Sequence, residues 1–304
     1  MRIGYLTTLY HTSFILRASG RLDDLGIKAE WRLFANGPAM MEAFGRKELD
    51  LGYVGLPPAM IGIDRGLKIK CIAGGHVEGT VLIGGRGYEP KETAEEALSQ
   101  FRGLTIGTPK RGSIHDVILR KLIRDLHLDN DIVIKNFDWA DFILDAMLDG
   151  EIDGGCGTPP LAVLARRQGA RILLPADKTW PFNPSYGIVA SESLIDGSSS
   201  LLEDFLKLHE DACNLIRTRQ VEAARLINKV IPIIKKDFVQ EVFNVSAKYC
   251  ASLPAEYIDS SLAFVPALKE MGYLSRNLEK EEIFYTKAIE RVHPERHHYL
   301  AGQE

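Results

Sequence analysis

The sequence predicts an α/β fold of two lobes, each a mostly parallel sheet covered by helices, with a helical C-terminal region packed on the first lobe. Three observations carry this prediction. Strand-like apolar runs alternate with helix-like runs from Arg2 to Ile195, the pattern of sheets with helices on their faces. The stretch "DLGYVGLPPAM" (Asp50–Met60) returns as "DGGCGTPPLAV" (Asp153–Val163), and upstream "GRKEL" (Gly45–Leu49) sits against "LDGEI" (Leu148–Ile152). Finally, 304 residues are more than one compact core ordinarily holds.

Taken in order, "RIGYL" (Arg2–Leu6) is a short strand, and the Thr and Ser residues of "TTLYHTS" cap a helix that starts near Ser13 and runs to Gly26. "IKAEWRLF" (Ile27–Phe34) alternates like a strand. Asn36 or Gly37 then caps a helix with Pro38 at its first position, where the missing N–H costs nothing. "LDLGYVGL" (Leu49–Leu56) is a buried strand, Pro57-Pro58 open a helix to Arg65, and "LKIKCIAGG" and "GTVLIGG" are further strands. The punctuated stretch beginning "RGYEPKE" marks a crossing, which places the first part of lobe one at 1–88.

The inserted second lobe, 89–187, repeats the formula. "LTIGTPKRGSIHDVILRKLIRDLHL" is strand, turn and helix, with Ile114, Val117, Ile118 and Leu122 on one helical face. "DIVIKNF", "DGGCGT" (strand or loop) and "ARILLPA" supply further sheet, and "WADFILDAMLDGEI" and "PPLAVLARRQG" supply helices. The strand "YGIVASESLI" then returns the chain to lobe one, so that 188–304 completes that lobe and adds amphipathic C-terminal helices.

Composition narrows the function classes. With 45% hydrophobic and 26% charged residues the chain is ordinary globular protein. A net charge of −4 offers no general field for nucleic acid or an anionic membrane surface. Cys71, Cys156, Cys213 and Cys250 are far apart, with no CxxC pair and no histidine at ligand spacing, so neither a disulfide framework nor a structural zinc is expected. The histidine-rich "VHPERHHYL" near the chain end is expected to be mobile surface. No run is long and apolar enough to span a bilayer, and "MRIGYL" opens on a strand rather than a leader. That opening has two readings: a cytoplasmic protein if Met1 is the true start, or an exported one numbered after its leader. No nucleophile elbow, Walker loop, dinucleotide fingerprint or HExxH is present, which counts against the common enzyme classes and leaves open an enzyme on this two-lobed fold.

The landmarks "IGYL", "GRKELDLGYVG", "LTIGTPKRGSIHDVILRKLI" and "LDGEIDGGCGTPP" appear in an order that resembles the type 2 periplasmic solute-binding proteins. More narrowly it is similar to those of nitrate, sulfonate and taurine importers, a group that includes thiamine-pyrimidine precursor proteins. The resemblance implies a two-lobed cleft closing on a small solute, an extracytoplasmic location and a membrane permease of an ABC importer as partner; separately, no cofactor or metal is expected. It also leaves a cytosolic enzyme or sensor on the same fold as the alternative. The cysteine-rich motif of the pyrimidine-synthase branch is missing, and "KTWPFNPSYG" occupies roughly its place.

In such folds ligands sit beyond the carboxyl ends of the strands, where helix N-termini present unpaired N–H groups and favour an anion. The expected site takes Thr8, Tyr10 and His11 after the first strand, Asn36 and Gly37 at the second turn, and Gly55 and Leu56 at the first Pro-Pro corner, where Leu56 offers only backbone. From the second lobe come Arg111, Gly112 and Ser113, the guanidinium suited to a carboxylate or sulfonate, and Thr158 at the second corner. Trp139, Trp180 and Tyr186 are expected as aromatic walls. His76 and Glu78 share a face of an extended segment and are expected at a hinge or cleft wall, with acid/base or metal roles as the competing reading.

Overall fold

The computed structural model describes residues 1–197 and 199–300. Ten strands, β1 (Arg2–Leu6), β2 (Glu30–Phe34), β3 (Leu51–Val54), β4 (Ile69–Val77), β5 (Val81–Gly84), β6 (Leu104–Pro109), β7 (Ile132–Phe137), β8 (Gly154–Gly157), β9 (Arg171–Leu174) and β10 (Pro184–Ser191), build two five-stranded sheets. Their orders are β2-β1-β3-β10-β4 and β7-β6-β8-β5-β9. The two sheets have the same plan. In each, the first strand pairs in parallel with the second and third, and the fourth place is taken by an antiparallel strand, β10 or β5.

The duplicated sequence has a duplicated job. Asp50 accepts the Arg2 amide at 2.7 Å and returns its own N–H to the Arg2 carbonyl at 2.9 Å, pinning β3 to β1. Asp153 does the same for the Thr105 amide at 2.8 Å and the Thr105 carbonyl at 2.9 Å, pinning β8 to β6. Three residues before each aspartate the chain turns through the left-handed region, at Lys47 (φ 57) and Gly150 (φ 73). The glycines of the repeat face glycines of the neighbouring strand, Gly52 opposite Gly4 and Gly155 opposite Gly107. A Cβ on Gly52 would lie 2.6 Å from the Met40 sulfur, and one on Gly107 would lie 2.4 Å from Ile152, so close packing on the sheet excludes side chains there.

Two expectations are corrected. The boundary at 88/89 and the return at 187/188 are displaced: β5 already belongs to the second sheet, so the chain crosses at 78–80, and it recrosses before Pro184. The punctuated stretch after Arg86 lies within lobe two. The first helix does not run unbroken to Gly26; Gly20 (φ 71) splits it into Ser13–Ser19 and Arg21–Asp24.

The crossings are tied together. Glu78 donates its N–H to Asn183 O (2.8 Å), accepts the Phe182 N–H at Oε1 (2.8 Å), and pairs through its other oxygen with Lys248. Glu78 (φ 59) and Phe182 (φ 56) both occupy the left-handed region, a conformation non-glycine residues hold only under constraint. One large core spans the first sheet and the C-terminal helices, while the second sheet carries a smaller cluster on each face. Ile114, Val117, Ile118 and Val163 of the second lobe join the first-lobe core, so the lobes are closed on one another.

Candidate functional site

Four helices begin at the interlobe cleft, two from each lobe. Gly37–Gly45 is capped by Asn36, Leu56–Asp64 by Gly55, Ile114–Asp125 by Ser113, and Pro159–Arg167 by Thr158. The Asn36 side chain accepts from Ala39 N at 3.0 Å, and Ser113 and Thr158 accept from the amides of Asp116 and Leu161 at 3.4 Å. These caps use one donor each. Prolines remove others: Pro159 and Pro160 have no N–H, so the Thr158 corner contributes its hydroxyl and dipole rather than amides. The Ser113 end is different, because the amides of Ile114 and His115 have no partner within the helix.

Between these ends lies a cavity of about 50 Å³, room for a few waters. Of the expected residues, Thr8, Tyr10, His11, Asn36, Gly37, Gly55, Ser113 and Thr158 line it. The others sit elsewhere. Leu56 is wholly buried in the first-lobe core. His76 lies behind the lining, its Nε2 2.7 Å from Ser246 O and its ring 5.0 Å from that of Tyr10. Tyr186 backs the floor: its ring is 4.0 Å from His11, and its hydroxyl accepts from the Thr12 amide. Gly112 (φ +82) turns the chain ahead of the helix and gives its N–H to Asp116. Trp139 is half-buried outside the lining, although its neighbour Ala140 lines it and the Asp138 carbonyl accepts from Asn36 Nδ2 across the lobes at 2.9 Å. Trp180 stacks on Phe264 at 4.1 Å.

Arg111 is the consequential correction. Its Nε donates to Tyr273 Oη at 3.1 Å and its guanidinium lies 5.7 Å over that ring, turned toward the C-terminal helices and away from the cleft. The cause lies in Asp116, whose carboxylate takes bonds from Gly112 N, Arg120, Asn136 and Tyr273 and so draws Tyr273 to this corner. Among the lining residues outside the expected set, two bring polar side chains that the sequence reading did not aim at the cleft. His115 stands in the same "KRGSIHD" run, its Nδ1 2.8 Å from Thr80 Oγ1, and Ser185 meets Tyr10 Oη at 2.9 Å.

No lysine, arginine, aspartate or glutamate is among the described lining residues. Burial pushes the His115 imidazole down to about 4, and burial together with the neighbouring His76, His115 and His209 holds His11 well below its ordinary value. Both rings are therefore neutral at pH 7. Thr8 Oγ1 and His11 Nδ1 are buried at the cavity with no partner among the described residues. Buried polar atoms are ordinarily satisfied, so the pair marks a place where hydrogen-bonding capacity is held in reserve.

Away from the cleft, the expected mobile terminus is also corrected. His293 is buried, and His298 is held against Cys250 and Glu210 by contacts that spacing along the sequence does not reveal.

Comparison with known proteins agrees with this architecture. A candidate binding protein of Brucella abortus is 24% identical over 258 residues, 80% of this chain and 75% of the relative. The ligand-binding component of an ABC-type import system from Staphylococcus aureus with zinc bound shares the fold, with a TM-score of 0.80 and 17% identity, over 97% of this chain and 99% of that one. The alkanesulfonate-binding protein SsuA from Xanthomonas axonopodis pv. citri bound to MOPS gives 0.79 and 16%, over 94% and 98%. The expected periplasmic-binding-protein fold is thus borne out. The model of the NMT1-like family matches residues 1–232, and the chain belongs to that family.

Proposed function

We propose that the protein is the solute-binding component of an ABC-type importer and holds a small organic anion in the interlobe cleft. One observation carries the reading: four helix N-termini from both lobes meet at one small cavity whose Thr8 hydroxyl and His11 Nδ1 have no partner among the described residues. The names of the similar Brucella and Xanthomonas proteins point the same way. Because Arg111 is turned away, the grip is made of amides, hydroxyls and helix dipoles rather than an ion pair. Such a grip suits a compact singly charged head, a sulfonate or carboxylate, with its apolar body against Leu6, Val54 and Ile114.

The cavity is too small to admit an organic anion unless the lobes part, and the paired crossings at 78–80 and 180–183 supply the hinge for that motion in this reading. The closed form then docks on a membrane permease outside the cytoplasm. No described helix is long and apolar enough to cross a membrane.

A thermal-shift screen tests the reading, since a ligand that binds only the folded form raises the melting temperature by mass action. Ethanesulfonate, nitrate and benzoate are compared with neutral ethanesulfonamide and cationic choline. A rise with one of the anions and none with the other two compounds is expected. A response confined to choline, or none at all, would remove the anion reading.

A further inference from the structure

We propose that Glu210, Cys250, His293 and His298 form a zinc site that pins the C-terminal stretch to the first lobe. One donor atom from each lies within 4.8 Å of all the others. Cys250 Sγ is 3.3 Å from His293 Nε2 and 3.8 Å from His298 Nδ1; the two nitrogens are 3.1 Å apart, and His298 Nδ1 is 3.8 Å from Glu210 Oε1. A tetrahedral zinc with bonds of about 2.0–2.1 Å to nitrogen and oxygen and about 2.3 Å to sulfur has edges of about 3.3–3.4 Å between nitrogens or nitrogen and oxygen, and about 3.6 Å between nitrogen and sulfur. The Cys250, His293 and His298 donors already stand within a few tenths of an ångström of three corners of that figure, and the Glu210 carboxylate, inside the 4.8 Å span of the group, closes in to complete it when the ion binds.

The surroundings orient each donor. His293 Nδ1 faces the Glu295 carbonyl at 3.2 Å; a carbonyl only accepts, so Nδ1 carries the proton and the Nε2 lone pair faces the cluster. The His298 amide N–H donates to Cys250 Sγ at 3.4 Å. Glu210 is fixed through Oε2 by the Ala251 amide at 2.8 Å, and its Oε1 is paired with Arg217 at 2.7 Å. Hydrogen bonding alone accounts poorly for the centre, where a thiol sulfur and two imidazole nitrogens are in mutual contact with few protons to share.

Thiolate, two imidazoles and one carboxylate are the borderline-soft set zinc takes. The thiolate and carboxylate neutralise the ion, leaving Arg217 balanced by Glu210 only in part, so Glu210 is the weakest of the four ligands. Cys250 and His293 are buried, while His298 and Glu210 reach a surface depression also lined by Asp211, Asn214 and Glu295, an entry path for the metal. None of the four lines the interlobe cavity. The ion would join the helix Ser199–Thr218, the segment alongside β4 and the chain's last described turn, three parts distant in sequence, and would reinforce the hydrogen bonds that already link them.

The test uses the full chain stripped with a chelator and titrated with zinc by calorimetry and with cobalt by absorption. One equivalent of zinc is expected, with a rise in melting temperature. Cobalt is expected to give a thiolate charge-transfer band in the near ultraviolet and the strong visible bands of a tetrahedral ion. Cys250→Ser should lose the near-ultraviolet band, and His298→Gln, at a partly exposed position that tolerates the change, should bind zinc at least tenfold more weakly. If the serine variant does not fold, His298→Gln still decides the matter. Absence of stoichiometric zinc binding, a pale octahedral cobalt spectrum, or affinity unchanged in His298→Gln would overturn the proposal.

Discussion

Replacing Gly55 by alanine should leave the lobes intact and impair their closure. Gly55 has φ −64 and ψ 152, a conformation open to any residue, so in a separated first lobe the new methyl costs nothing and slightly restricts the unfolded chain. In the closed form the Cβ would lie 3.0 Å from both Cβ and Cγ2 of Ile114, and 3.4 Å from the Ser185 carbonyl. Ordinary carbon contacts need about 3.5–4.0 Å. No rotation moves the Cβ of Ile114, the first residue of its helix, so relief requires one lobe to back away by roughly half an ångström. Overpacking of this kind costs about 1–3 kcal/mol, charged to the closed state alone, which weakens ligand affinity roughly 5- to 150-fold. Calorimetric titration with the anion that gives the largest thermal shift measures the loss, and the ligand-free melting temperature provides the control. Unchanged affinity would refute the reasoning, as would a fall in ligand-free melting temperature large enough to explain the weaker binding as damage to the first lobe.

Ser113→Ala removes a cap and a lining hydroxyl, and should lower ligand affinity several-fold at a stability cost of about 1 kcal/mol; Arg111→Ala should leave affinity unchanged, and a reversal of that order in titration would return the arginine to the site. His76, His115 and His209 are buried and held at about 4, below the usual value near 6.5. Their neutral forms therefore contribute fully above about pH 6.5, and that contribution is lost as pH falls toward 4, on the order of 2 kcal/mol each at pH 5. Melting temperature should fall steeply between pH 7 and 5, and a flat profile would show the rings to be solvated. Lys47→Gly relieves the left-handed strain that glycine already avoids at the equivalent Gly150, and should raise stability by about 0.5–1 kcal/mol in urea unfolding; a loss would mean that the Lys47 side chain packs better than its exposure suggests.

Much of the architecture was legible because its cause is local. The repeated aspartate, glycine strand and Pro-Pro helix start carry their own chemistry: a carboxylate for a strand amide, glycines for close sheet packing, prolines where helical N–H groups have no partner. Eight of the lining residues followed from the same logic of turns and caps. What escaped depends on partners distant in sequence. The crossing at 78–80 was hidden because β5 has an ordinary strand sequence, and only its pairing with β8 and β9 assigns it to the second sheet. Arg111 looked like a ligand group until Asp116 and Tyr273, 157 residues apart, created a competing site for it. The donor cluster escaped for the same reason: Cys250 lies 43 residues from His293, beyond any spacing rule for local metal ligands.

A crystal structure of the full chain with its strongest-binding anion bears most directly on the central claim. The charged head is expected in the interlobe cavity, within hydrogen-bonding distance of the Ile114 and His115 amides and of Thr8 or His11, with the Arg111 guanidinium still against Tyr273. An anion found outside that cavity, or held there by Arg111, would contradict a grip built from helix N-termini.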